Sequence, residues 1–240
     1  MNVCMAPCPI VFDLDGTLID SAPDIHAAAN AVLRQQGLRQ LSLDQIRSFI
    51  GGGVDVLWHK IIRAIGSDPA RQRDLVAAFM VRYHDATALT RLFPGVLDAL
   101  GVLADRGHPL GICTNKPMGP TRAVLDHFGI AGLFGHVTGG DSLPEKKPDP
   151  APLRAAFAGL GADPRAPQGI YVGDSEFDAA CAAAVPVPLL IFAGGYRQTP
   201  IEQLPHLARF DDFGQLPVHD GLIRPAAGPR PWPRCPRRAP

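Results

Sequence analysis

The sequence predicts an α/β protein: a doubly wound (Rossmann-like) parallel-sheet core carrying an inserted α-helical cap subdomain. Three observations lead there. Short apolar runs recur along the chain and end in polar or glycine-rich turns, the form taken by strands buried on both faces. Helical patterns alternate with those runs, which is the βαβα succession of a doubly wound sheet. One interval of about 70 residues breaks the alternation with helices alone, directly after the first strand.

The elements follow in chain order. The apolar run 9–12 is the first strand. Residues 24–36, 43–49, 54–65 and 70–86 have helical periodicity, and in the last of these Leu75, Val76, Phe79, Met80 and Tyr83 share an apolar face. The interval 21–92, with no strand pattern, is expected to be the cap; 1–20 and 93–220 are expected to form the sheet-bearing core. There, a helix over 96–104 with Val96, Leu97, Leu100, Leu103 and Ala104 on one face leads to a strand at 110–114. Helix 121–128, strand 136–139, helix 151–160, strand 169–173, helix 176–184 and strand 187–192 complete the alternation. No internal repeat is present. The last 16 residues, PAAGPRPWPRCPRRAP, hold six prolines and four arginines and cannot build a core, so 221–240 reads as a disordered tail.

Composition narrows the function classes. At 240 residues and 46% hydrophobic, the chain suits one core domain with a smaller insert. Lys+Arg and Asp+Glu both number 23, so no net field draws it to nucleic acid or an anionic membrane surface. No apolar run approaches the roughly 20 residues that span a bilayer. The N-terminus lacks a signal-peptide pattern, and the expected compartment is the cytoplasm. Cys4, Cys8, Cys113, Cys181 and Cys235 are odd in number and scattered, which fits reduced thiols rather than a disulfide framework. Cys4 and Cys8 have no second Cys/His pair near them that would complete a metal site.

The stretch VFDLDGTLID (11–20) sets Asp13 and Asp15 at the carboxyl end of the first strand, where open α/β sheets place ligands. Residues two apart in an extended stretch point the same way, so both acids can face one cleft. Close carboxylates repel and hold a proton more tightly, a cost that a cation or a reaction offsets. YVGDSEFD (171–178) repeats the theme, with Asp174 at another strand end and Asp178 one helical turn on. Such a group of carboxylates suits a hard divalent cation, Mg²⁺ above all; the alternative for Asp174 alone is an N-cap for the helix from Glu176. CTNKP (113–117) adds a hydroxyl, an amide and an ammonium, and EKKPDP (145–150) puts Lys146 and Lys147 before a proline. A lysine opposite several acids would hold phosphoryl charge; a lone Lys-Pro is ordinary solvent-facing sequence.

Together, the order DxDGT, Ser/Thr, Lys, GDxxxD resembles the haloacid dehalogenase superfamily of phosphatases, over residues 9–213. TNKP, LFPGV (92–96), GDSLPEKKPDP (140–150), VGDSEFDAACAA (172–183) and FIGGGVDVL (49–57) are similar to the phosphoglycolate phosphatases of that superfamily. The resemblance implies Asp13 as nucleophile, forming an aspartyl-phosphate, and Asp15 as the acid and base that serves leaving group and water. It implies Mg²⁺ held by Asp13, the main-chain carbonyl of Asp15, and Asp174, with Asp178 behind them. Thr114, Asn115 and Lys147 would bind the transferring group, Lys147 rather than Lys146 because it directly precedes Pro148. One departure is Val185, where these proteins usually carry glycine.

The leaving group must be read by the cap. Gly51, Gly52 and Gly53 precede a helix near Val54, and amides at a helix N-terminus form an anion site suited to a small carboxylate; the alternative is a merely flexible connection. Lys116 would add positive charge from the core. The expected reaction is hydrolysis of 2-phosphoglycolate. The alternatives are a related capped phosphatase of a small sugar phosphate, a phosphosugar mutase, or a non-catalytic phosphate-sensing module. Asp13, Asp15, Thr114, Lys147 and Asp174 standing together argue against the last. A dehalogenase is disfavoured, since halide departure needs no proton from Asp15. No sequence feature sets the oligomeric state.

Overall fold

The computed structural model describes residues 7–216 apart from 164, 166 and 186. The tail predicted at 221–240, Cys4 and Cys235 lie outside the described residues. In chain order the strands are β1 (Ile10–Phe12), β2 (Ile19–Asp20), β3 (Arg91–Leu92), β4 (Leu110–Cys113), β5 (Phe134–Thr138), β6 (Ile170–Gly173), β7 (Leu189–Phe192) and β8 (Ala208–Phe210). The helices are α1 (Ala22–Gln35), α2 (Leu43–Arg47), α3 (Val54–Ile65), α4 (Gln72–Tyr83), α5 (Val96–Asp105), α6 (Met118–His127), α7 (Ala151–Gly159) and α8 (Glu176–Ala184).

Six strands form a parallel sheet in the order β5-β4-β1-β6-β7-β8. Alternation along each strand divides the core into two layers. Ile10 and Phe12 of β1 enter one apolar cluster with α5 and α6, while Val11 enters the other with α7 and α8. Ile170 and Val172 part from Tyr171 in the same way on β6. Both faces are therefore dry, as the continuous apolar runs require. Because β1 is central and the chain winds outward from it to both edges, the ends of β1, β4 and β6 border the crevice where such sheets hold ligands.

Helices α1–α4 pack on their own apolar cluster, centred on Trp58, Phe79, Val32, Leu33 and Ile61. Trp58 meets Phe79 edge-on at 5.7 Å, and Phe79 stacks on Tyr83 at 4.7 Å. Ser42 and Gln45 start α2 with a reciprocal cap, side chain to backbone in both directions. The two chain crossings into this cap are bonded to each other: β2 pairs antiparallel with β3, and the Asp24 carboxylate accepts from the amides of Leu89 and Thr90.

Several local expectations need correction. Strand β3 closes the helical interval, β2 lies just before it, and the core has a sixth strand, β8. All three are too short for a period-2 pattern to show. β5 begins two residues earlier than the apolar run suggests, and α4 starts at Gln72 after a 3-10 turn. Leu97 is exposed; Ala99 takes its place on the buried face of α5. Val185, in the position where glycine was expected, has φ −102° and is fully buried, so the backbone there makes no demand for glycine. Cys8, Cys113 and Cys181 are buried free thiols.

Candidate active site

The ladder extends one residue past β1. The Asp13 amide donates to the carbonyl of Val172 at 2.8 Å, which fixes the first carboxylate over the sheet's carboxyl end. Gly16 then turns the chain at φ +88°, and a Cβ there would lie 2.7 Å from an Asp174 oxygen. Only glycine lets the two strand ends come this close. Thr17 completes the junction by donating its hydroxyl to Asp174 Oδ1 at 2.9 Å.

Each acid of the first motif has its own lysine. Lys147 Nζ lies 2.8 Å from Asp13 Oδ1, and Lys116 Nζ lies 3.1 Å from Asp15 Oδ1. Lys147 also donates to Asp178 Oδ1 at 2.6 Å and to the Tyr171 hydroxyl at 2.9 Å, and its side chain is 2% exposed. Its neighbour Lys146 turns outward to Asp55 on α3. Asp178 accepts from Tyr171, from the amide and hydroxyl of Ser175, and from the Asp174 amide. Ser175, not Asp174, is the N-cap residue of α8, which leaves the Asp174 carboxylate free of that task. Asp174 accepts instead from Thr17 and, at 2.6 Å, from the Tyr196 amide.

Charge at this end is unbalanced. Oxygens of Asp13, Asp174 and Asp178 lie within 4.8 Å of one another, all buried. Three carboxylates face the single ammonium of Lys147. Burial, opposed by Lys147 and aided by Asp178, pushes Asp13 up to about 7. Burial with Asp178 and Asp13 raises Asp174 well above the carboxylate range, against hydrogen bonds from Tyr196 and Thr17. Asp178 alone is held low: burial would raise it, but Lys147 and its hydrogen bonds win. Burial would lower Lys147, but Asp13 and Asp178 overcome it and hold the ammonium well above its ordinary value. Hard oxygen donors with two uncompensated negative charges fit a divalent cation. Asp13 and Asp174 are the donors with lone pairs to spare, since each Asp174 oxygen accepts a single bond while Asp178 Oδ1 accepts from Lys147 and Tyr171 and its Oδ2 from Asp174 and Ser175.

Asp13, Asp15, Thr114, Asn115 and Lys116 line one side of a cavity of about 40 Å³, and Ile25, Ile50, Val54, Leu57 and Tyr83 of the cap line the other. Two expected ligands take a different place. The side-chain amide of Asn115 donates to the carbonyls of Gly51 and Lys147 and accepts from the Lys147 amide, so it clasps the Lys147 loop to the cap. Gly51 and Gly53 line the cavity and Gly52 does not; the Gly51 carbonyl accepts from Asn115, and a Cβ on Gly52 would strike Val56. The anion site expected from that turn is not formed by all three glycines.

Sequence reasoning overlooked the tyrosines. The chain has three, and the hydroxyl of each is committed here. Tyr171 holds Asp178 and Lys147; Tyr83 reaches Lys116; Tyr196 accepts from the amides of Ser21 and Ala22 at the entry to the cap and donates to Asp20 at 2.6 Å. A signal existed for Tyr171: a phenol inside an otherwise apolar strand needs a buried partner.

A family model described as haloacid dehalogenase-like hydrolase matches residues 10–191. The chain belongs to that family. Among curated relatives, the phosphoglycolate phosphatase of Cereibacter sphaeroides is 46% identical over 211 residues, 87% of this chain and 95% of that one. That of Rhodobacter capsulatus is 46% identical over 215 residues, 89% and 96% of the two chains. A crystal structure titled a predicted phosphoglycolate phosphatase from Haemophilus somnus has a TM-score of 0.82 and 32% identity, covering 89% of this chain and 97% of that chain. Among the described residues no helix is long and apolar enough to cross a membrane.

Proposed function

We propose that this hydrolase is a cytoplasmic, Mg²⁺-dependent phosphatase that converts 2-phosphoglycolate to glycolate and phosphate through an aspartyl-phosphate on Asp13. The observation that carries the chemistry is the Lys147–Asp13 pair set against the Asp174 and Asp178 carboxylates at the end of β1. The names of the relatives support the substrate.

Asp13 supplies the oxygen that attacks phosphorus as the ester P–O bond breaks, and Asp15 gives a proton to the departing alkoxide. In the second half a water attacks the phosphorus of the aspartyl-phosphate, Asp15 takes that water's proton, and the Asp13 carboxylate is released. Lys147 holds Asp13 in place and favours its ionised form against burial. Tyr171, Ser175 and Asp178 in turn fix Lys147. Bound by Asp13, Asp174 and the Asp15 carbonyl, Mg²⁺ would neutralise phosphoryl charge.

The cavity's far wall supports the small substrate. Ile25, Ile50, Val54 and Leu57 offer nothing to sugar hydroxyls, which would be buried unpaired at about 1–3 kcal/mol each. Lys116, by contrast, offers one positive charge. The test is kcat/KM across a panel of small phosphate esters with Mg²⁺. 2-Phosphoglycolate should lead, and excess chelator should abolish turnover. A preference for hexose phosphates would overturn the substrate, and full activity in chelator would overturn the metal.

A further inference from the structure

Tyr83 is the hydroxyl-bearing residue among the described cap residues that line the cavity; the others are Ile25, Ile50, Val54, Leu57 and two glycines. Its ring is locked by stacking on Phe79, itself packed on Trp58, so the phenol is held by the cap's own core. The hydroxyl meets the Lys116 ammonium, which also lies 4.5 Å from the ring centroid. Lys116 comes from the loop after β4 and is the sole cation among the described residues lining the cavity; its side chain is 3% exposed.

We infer that Tyr83 and Lys116 form a split receiver for the free anionic group of the substrate, and that Tyr83 is the specificity-determining residue of the cap. This rests on the proposed phosphoglycolate activity and deepens it. An ammonium has three donors. Asp15 and Tyr83 engage two, which leaves one. The phenol, accepting from Lys116, keeps its own proton to give. Burial, and then the charges of Asp15 and Asp24, push Tyr83 well above its ordinary range, so it remains a neutral donor. One N–H and one O–H match the two oxygens of a carboxylate, and in an apolar enclosure such charge-assisted bonds are strong. The halves sit on different parts of the fold. The receiver is complete only with the cap seated on the core, so an ester with no anionic group gains nothing from closure.

The experiment compares 2-phosphoglycolate with ethyl phosphate, which has the same two-carbon length without the carboxylate. Kinetic constants are measured for the wild type, Tyr83→Phe and Lys116→Met with Mg²⁺. Phenylalanine keeps the stack on Phe79, so the cap core is preserved. The ratio of kcat/KM for the two substrates should fall about 10- to 100-fold in Tyr83→Phe, and at least as far in Lys116→Met, the range expected when a buried polar partner is lost. An unchanged ratio in Tyr83→Phe, whether both rates hold or both drop, would reduce Tyr83 to a packing residue and overturn the inference while the phosphatase reading stands. A wild type with no preference for 2-phosphoglycolate over ethyl phosphate would overturn both.

Discussion

Asp13 lines one end of the cavity, and with it the buried carboxylates of Asp174 and Asp178 and the Lys147 ammonium crowd together. At the leaving-group end, one ammonium and one phenol stand against four aliphatic side chains. Under the proposed mechanism the first end is set by covalent chemistry, so its residue types and spacings leave little freedom. The second needs only a shape and a charge, which many combinations of residues supply. Changes at the first end should therefore stop the reaction, and changes at the second should redirect it.

The largest effect belongs to Asp13→Asn. The amide is nearly isosteric but cannot attack, and kcat should fall by about 10³-fold or more. Wild-type-like turnover would remove Asp13 from the mechanism. The same variant tests the electrostatics in chelator. Burial raises Asp13 to about 7 in the folded protein, above its value in an unfolded chain. The folded state thus binds that proton more tightly, a contribution fully present below about pH 4 and lost as pH rises through 7. Asparagine never ionises. Asp13→Asn should therefore be more stable than the metal-free wild type at pH 8, by roughly 1–4 kcal/mol, and the gap should close as pH falls towards 4. A pH-independent gap in thermal denaturation would mean that the buried charge is not the cause.

Next comes Lys147→Met, which keeps the volume and removes the charge. Asp13 and Asp178 would lose their shared cation, and breaking a buried pair in this way costs about 3–5 kcal/mol. Loss of activity should accompany it. Added divalent cation should recover part of the stability, because it lessens the same repulsion. Denaturant unfolding with and without Mg²⁺ reads this directly, and a variant as stable as wild type in chelator would show that the acids are protonated there already.

The contrast between the two ends also explains what the sequence alone makes legible. Asp13, Asp15, Thr114 and Asp174 follow the ends of strands, and the periodicity that locates the strands locates them too; Asp178 in the first turn of α8 and Lys147 in the loop between β5 and α7 were legible through their motifs instead. The cap appeared as helices because Leu75, Phe79 and Tyr83 keep a helical period. Yet that same period made Tyr83 look like any other core position, and nothing local says that its hydroxyl emerges toward Lys116. Asn115 was identified by position but not by task, since its partners are 32 and 64 residues away. Gly51–Gly53 were legible in part for a related reason: Gly51 and Gly53 line the cavity and Gly52 does not, and a glycine run marks an unusual backbone without saying how Phe177 and Val56 pack around it.

The smallest effect sharpens the comparison best. Lys146 and Lys147 are adjacent, and both make an ion pair 3.1 Å or shorter. Lys146 binds Asp55 in the first turn of α3, so it joins the core loop to the cap just as Asn115 does. Its side chain is 36% exposed and that of Asp55 65%, and water screens most of the attraction. Lys146→Ala should change stability by less than about 0.5 kcal/mol and kcat/KM by less than about twofold, and even this should fade in high salt. A loss comparable to that of Lys147→Met would mean that the exposed pair holds the cap in its working position, and that burial is not what separates the two lysines. With the expected result, one peptide bond divides a residue that the reaction needs from one that the surface tolerates, and the difference lies in the three buried partners that Lys147 alone reaches.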